Sequence, residues 1–318
     1  MIECFLTDKT GTHAIEEPEA GCWVNVTSPT AEDRAWLEEE LGVIDEFVKS
    51  ALDDEETSHV DYDEDTGQTL VIIDCPFIED AAEAEDPLMT QYDTHPLTVL
   101  FLRAQDMIVT ISLKENPTLS LFAVGKIADF NTHQRTRFLL QIFSNTVQRY
   151  LRYLRSINRQ FTKNEKILHQ TMRNSELVKM LGLEKSLVYF STSLRGDETT
   201  LSRIQSGRVV QLYEDDKDLL DDVFIEIRQA IEMCTVYSSI LNGTMDTFSS
   251  VISNNLNLVM RTLTIVTIVL AIPTIIFSFY GMNVEGLPLT NTCLLPLGLA
   301  VVGMAGAILY FRTNNLFK

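Results

Sequence analysis

The sequence predicts an α-helical membrane protein. Its C-terminal part is a hairpin of two transmembrane helices, reached through a long stalk helix from a large cytosolic N-terminal domain of α/β and helical character. Three observations carry that expectation. Residues 262–279 (TLTIVTIVLAIPTIIFSF) and 292–311 (TCLLPLGLAVVGMAGAILYF) contain no charged residue, and each is long enough for a helix to cross the ~30 Å hydrocarbon core. The link between them is too short to be a domain. The region before them is polar, strongly acidic and patterned first like strands, then like helices.

The 318 residues carry 45 Asp and Glu against 25 Lys and Arg, a formal charge of −20. The excess is concentrated in residues 1–95, which hold 27 acidic residues and three basic ones, Lys9, Arg34 and Lys49. Such a field repels nucleic acid and gathers cations. The five cysteines (Cys4, Cys22, Cys75, Cys234, Cys293) are scattered, with no C-x-x-C pair. They predict neither a zinc site nor a disulfide framework, which fits a reducing cytosol. The opening MIECFLTDKTG lacks the basic, apolar character of a signal peptide. No P-loop, nucleophile elbow or catalytic dyad at credible spacing is found, so no enzyme is expected.

In chain order, residues 21–26 read as a strand, and Ser28-Pro29-Thr30 opens a Glu-rich helix with Pro29 near its first turn. Residues 70–73, 98–102 and 106–111 are β-rich runs, the last two placed as a hairpin. Residues 79–86 (EDAAEAED) read as a mobile acidic loop. From Thr118 to about Arg195 the pattern is helical. Residues 134–173 form a basic helix, expected to lie against the acidic domain rather than on nucleic acid. Its aromatic residues Phe138, Phe143, Tyr150, Tyr153 and Phe161 are expected in the core.

Residues 216–279 can form a single helix of 64 residues, roughly 95 Å at 1.5 Å per residue. Pro273 stands inside its apolar part as a possible kink. Leu220, Phe224, Ile227, Ile231, Cys234, Leu241, Met245, Phe248 and Ile252 recur in steps of three and four, with Ser238 filling the gap, a seam for packing on other helices. A second, mostly polar stripe runs Asp246, Ser250, Ser253, Asn257, Met260, Thr264, Thr267, Ala271, Thr274, Ser278. Polar groups facing lipid would be unsatisfied, so the stripe is expected to face a lumen or partner helices. The alternative for any one Ser or Thr is helix glue or a bond to its own backbone. One hairpin cannot enclose a pore, so the chain is expected to form a funnel-shaped, ring-symmetric homo-oligomer. The second apolar run has no polar stripe and is assigned to the outer ring, with Gly303-x-x-x-Ala307 permitting close approach to the first.

The expected division is 1–210 for the cytosolic domain, 211–261 for the cytosolic stalk, 262–280 and 292–312 for the membrane helices, 281–291 for the external loop and 313–318 for the tail. Arg261, Arg312 and Lys318 flank the spans, and the loop has no Lys or Arg. Both termini are therefore expected in the cytoplasm of a multi-pass cell-membrane protein.

The first span ends Tyr280-Gly281-Met282-Asn283, followed by Glu285 and Pro288. This triplet, the hairpin and the acidic region before it resemble the CorA family of divalent-cation channels. The likeness is close from about Asp216 onward and general before it. The resemblance implies passive, potential-driven Mg²⁺ uptake, with Co²⁺ and Ni²⁺ as possible surrogates, through a homopentamer in the membrane lipid. It implies a filter of Gly281, Met282 and Asn283 that takes a hydrated ion, with Glu285 at the outer mouth. Gly281 would allow a sharp turn and Met282 would pack to fix the loop. Counting back from the triplet, Asp246 and Asn257 fall on polar pore positions and Met260 and Leu263 on an apolar constriction. Thr264, Thr267 and Thr274 complete the lining, and Ala271 is smaller than some members have. The resemblance also implies closure by intracellular Mg²⁺ at carboxylates, here Asp221 and Asp222, beside Asp215, Asp216 and Asp218. No organic cofactor is expected. Alternative readings are a zinc transporter of the same superfamily and a membrane-anchored scaffold or sensor that conducts nothing.

Overall fold

The computed structural model describes residues 1–9, 11–79, 91–171, 174–282 and 294–314. The acidic segment 79–86 lies outside them except for Glu79. The chain divides into two compact units, residues 1–243 and 244–318.

The first unit is built on one seven-stranded sheet. Its strands are β1 (Ile2–Asp8), β2 (Gly11–Ile15), β3 (Trp23–Thr27), β4 (Val60–Tyr62), β5 (Thr69–Ile78), β6 (Tyr92–Leu102) and β7 (Met107–Ser112). The order is β2-β1-β3-β7-β6-β5-β4. Only β3 and β7 pair in parallel; every other neighbour is antiparallel. The expected hairpin is β6–β7, with Leu102 opposite Met107. The β1–β2 hairpin has no counterpart in the sequence reading. Its edge strand β2 buries no residue, so it carries no apolar alternation to detect.

The sheet is covered on both faces, which explains its unbroken apolar runs. Along β5, Leu70 and Ile72 enter one cluster while Val71 and Ile73 enter the other, as the two-residue period of a strand requires. The first face takes α1 (Ala31–Glu39) and α2 (Asp45–Ala51), through Leu37, Phe47 and Val48. Thr30 caps α1 in a reciprocal box with Asp33. Pro29 therefore precedes the cap and is not part of the first turn.

The opposite face takes α3 (Pro117–Ala123), α4 (Arg135–Thr171), α5 (Asn174–Gln205) and the start of α6 (Lys217–Tyr280). Trp23 anchors this side. It stacks on Phe5 at 4.8 Å and meets Phe138 edge-on at 5.1 Å. Its indole Nε1 donates to Thr110 Oγ1 at 2.8 Å, and that hydroxyl donates to Asn25 Oδ1 at 3.0 Å. Phe138, Phe143, Tyr150 and Phe161 of α4 are buried as expected, while Tyr153 is half-buried. The basic helix does lie against its own unit: Arg135 pairs with Asp106 at 2.8 Å and Arg137 with Asp216 at 3.6 Å. Leu220, Phe224 and Ile227 of the α6 seam join the same core, and Cys234 and Leu241 further along are also buried.

Two carboxyl groups are sealed into this side. Asp197 of α5 is fully buried and Asp74 of β5 nearly so. Asp197 Oδ1 accepts from the Asp74 amide at 3.0 Å and from the Ser58 hydroxyl, while Asp197 Oδ2 has no partner among the described residues. Tyr150 donates to the Asp74 carbonyl at 2.9 Å. Burial pushes the Asp74 carboxyl up to about 6. Burial, then the Asp74 charge, pushes Asp197 well above the carboxylate range. The folded state therefore holds protons that the unfolded chain releases near pH ~3.9. Stability from these groups is full below that pH and is lost as pH rises through the folded values. Asp197→Asn removes one of the two titrations. The drop in thermal midpoint between pH 5 and pH 8 should be smaller in Asp197→Asn than in the unmodified protein. An equal drop would exclude the pair as its source.

The second unit comprises α6 from Thr244 onward and α7 (Leu294–Thr313). α6 has the expected 64 residues, and the helix continues through Pro273. Both helices are long and apolar enough to cross a membrane, and almost none of their most apolar windows is buried. Their contact is narrow. Ile265 of α6 and Ala300 of α7 are buried, and a Cβ placed on Gly303 would stand 2.8 Å from Ile272 Cγ2. Gly303 thus meets α6 closely, as its spacing with Ala307 suggested. A Gly303→Val change should lower the stability of the detergent-solubilised protein by about 1–3 kcal/mol through overpacking. Gly306→Ala, where nothing lies within 4 Å, should leave the melting curve in place.

Candidate functional site

The polar stripe lies on a different side of α6 from α7. The α7-facing side is marked by buried Ile265 and half-buried Val269, Ile272, Ile276 and Tyr280. At 100° per residue, the centre of the stripe falls roughly 140° from the centre of that face. Asp246, Asn257, Met260, Leu263, Thr264, Thr267 and Thr274 are all exposed within the single chain, and Ala271 is half-buried. Met260 and Leu263, at 54% and 59%, are as open as the polar positions around them.

Ser250, Thr264, Thr267 and Thr274 of the stripe share one arrangement. Ser250 donates to the Asp246 carbonyl at 3.0 Å, Thr264 to Met260 and Thr267 to Leu263 at 2.8 Å, and Thr274 to Leu270 at 3.1 Å. The bond to the helix's own backbone is therefore real. It does not exhaust the group, because a hydroxyl has one proton and two lone pairs. With the proton turned inward, each oxygen shows only acceptor character to the outside.

At the C-terminal end of α6, Gly281 donates to the Phe277 carbonyl at 2.9 Å. Its φ is not in the left-handed region. A Cβ on Gly281 would stand 3.1 Å from that carbonyl oxygen, a tight contact. Met282 is 54% exposed among the described residues; the loop it is expected to fix lies outside them. Asn283 and Glu285 lie outside the described residues.

Asp221 and Asp222 are exposed on the first turns of α6. Among the described residues of one chain, no three His, Cys, Asp or Glu side chains come together to hold a metal ion. Asp216 differs from the exposed carboxylates around it: it is buried against Arg137. Glu226, one turn beyond Asp222, belongs to this patch although the sequence reading omitted it. Burial raises its carboxyl, a Gln148 hydrogen bond opposes that, and the Asp222 charge adds to the rise. The i, i+4 spacing from Asp222 is the signal that could have found it.

Comparison with known proteins agrees with this architecture. Residues 18–313 match the family described as "CorA-like Mg2+ transporter protein". The Cobalt/magnesium transport protein CorA of Methanocaldococcus jannaschii is 26% identical over 283 residues, 85% of this chain and 82% of that protein. The complete structure of the CorA magnesium transporter from the same organism superposes with a TM-score of 0.80 at 23% identity, over 98% of this chain and 97% of that one. The ZntB cytoplasmic domain from Vibrio parahaemolyticus shares the fold at a TM-score of 0.59 and 14% identity, over 80% of this chain and 97% of that one. The family match covers nearly the whole chain, α/β unit and both apolar helices included, and the chain belongs to the CorA family of ion transporters, which are not enzymes.

Proposed function

We propose that the protein is a divalent-cation channel that admits Mg²⁺ passively, driven by the membrane potential, with Co²⁺ and Ni²⁺ as further substrates. Several copies, five by family analogy, surround a central path lined by the α6 stripe. α7 forms the lipid-facing ring, and both termini lie in the cytoplasm of the cell membrane. The observation that carries this reading is the row of outward hydroxyl lone pairs on the stripe. Magnesium sheds its water reluctantly. The water molecules around it turn their oxygens to the ion and their protons outward. A wall of lone pairs from Ser250, Thr264, Thr267 and Thr274, with Asn257 and Asp246 below, is the complement of that shell. The stripe contains no His or Cys, the donors a softer metal favours.

At the outer end, Gly281, Met282 and Asn283 form the filter, with Glu285 raising the local cation concentration. A potential of 100 mV supplies ~2.3 kcal/mol per charge, or about twice that for a divalent ion, so no nucleotide hydrolysis is needed. Cytosolic Mg²⁺ closes the path by bridging Asp221 and Asp222 to a neighbouring copy, in keeping with the absence of a three-ligand cluster among the described residues of one chain.

Flux into proteoliposomes loaded with a Mg²⁺ indicator tests each part. Asn283→Ala should reduce Mg²⁺ entry at least tenfold in correctly assembled protein; undiminished entry would reject the filter. Thr267→Val with Thr274→Val keeps shape and removes two acceptors per copy. Each lost hydrogen bond is worth about 0.5–1.5 kcal/mol, so flux should fall about two- to tenfold or more; full flux would mean these hydroxyls do not meet the ion's water. Asp221→Ala with Asp222→Ala should leave the channel conducting at Mg²⁺ levels that silence the unmodified protein, and unchanged inhibition would place the sensor elsewhere.

A further inference from the structure

A cavity of about 790 Å³ opens in the first unit beside the start of α4. Three guanidinium groups line it: Arg103 from the β6–β7 turn, and Arg135 and Arg137 from the first turn of α4. That turn is unusual. It contains no acidic residue, where helices ordinarily favour negative charge. The Gln134 carbonyl accepts from the Phe138 amide, so the helix begins at Arg135, and among the described residues no side chain caps its first amides. Arg135 spends one terminal nitrogen on Asp106, while its Nη1 is buried without a partner. A buried charged donor left unpaired costs more than an ordinary missing hydrogen bond. Arg103 is exposed, and its Nη2 reaches only the Val209 carbonyl at 3.5 Å.

The lining is not simply basic. Asp216 is held by Arg137, but Asp129 and Asp215 also line the cavity, with no partner for their carboxylates among the described residues. The unpartnered Arg135 Nη1, the exposed Arg103 (its guanidinium 5.7 Å from the Tyr62 ring) and free carboxylates facing one space call for a ligand of both signs. The volume suits a drug- or nucleotide-sized molecule rather than a bare ion. Phe101 and Val210 offer it an apolar wall. We propose that this cavity binds an organic polyphosphate chelating a divalent cation, of nucleoside-triphosphate size. The guanidiniums and the α4 amides take the phosphate oxygens, as forked donors and helix N-termini do. Asp129 and Asp215 face the hydrated cation. The cavity is closed on one side by the turn Glu214–Asp216 that leads into α6, so the ligand would bear on the start of that helix.

Isothermal titration of the purified full-length protein with magnesium-ATP tests this. The expected result is saturable binding at one site per chain, weakened about tenfold or more in Arg103→Gln, an exposed change that leaves the unliganded melting curve unaltered. Arg135→Gln should weaken binding in the same way. Chelating the magnesium should also weaken it, pyrophosphate should compete, and glycerol 1-phosphate, the headgroup chemistry of a lipid, should not. Absence of saturable heat, or full affinity in folded Arg103→Gln, would overturn the site. Equal binding without magnesium would overturn the role given to the cation, and equal competition by glycerol 1-phosphate the polyphosphate class.

Discussion

The constraint on which the second unit rests is that hydrocarbon offers no hydrogen bonds. A helix meets it for the backbone by closing its own ladder. Side chains must meet it separately, and α6 does so by turning the hydroxyl protons of Thr264, Thr267 and Thr274 onto carbonyls one turn back. What is left on the outside is a line of lone pairs along one side of the helix. That line sits well away from the side that meets α7, so α7 cannot cover it.

The first unit solves a different problem. Its sheet is buried on both faces, so neither face is available to solvent or to ligands. Chemistry there is confined to edges and helix ends. Among the described residues the acidic groups of residues 1–95 are exposed or half-buried except Asp74, while the arginines of α4 are split. Arg135 and Arg137 at its start are drawn into contacts with Asp106 and Asp216; Arg152, Arg155 and Arg159 further along remain exposed.

Much of this was legible from residue order. The two apolar runs, the helix of 64 residues, the stripe and the strands at 70–73, 98–102 and 106–111 all rest on periodicity, which survives folding because it is what packing reads. The β1–β2 hairpin was not legible, since β2 lies at the sheet edge with no buried residue to pattern. Long-range pairs were also out of reach. Nothing in the local sequence says that Asp74 meets Asp197 or that Asp216, alone in its acidic run, is drawn inward to Arg137.

The notch at Gly303 has a mechanical consequence. Ile272 fits against bare backbone there, so the two spans are keyed together at one level of the bilayer and cannot slide past one another without unseating that side chain.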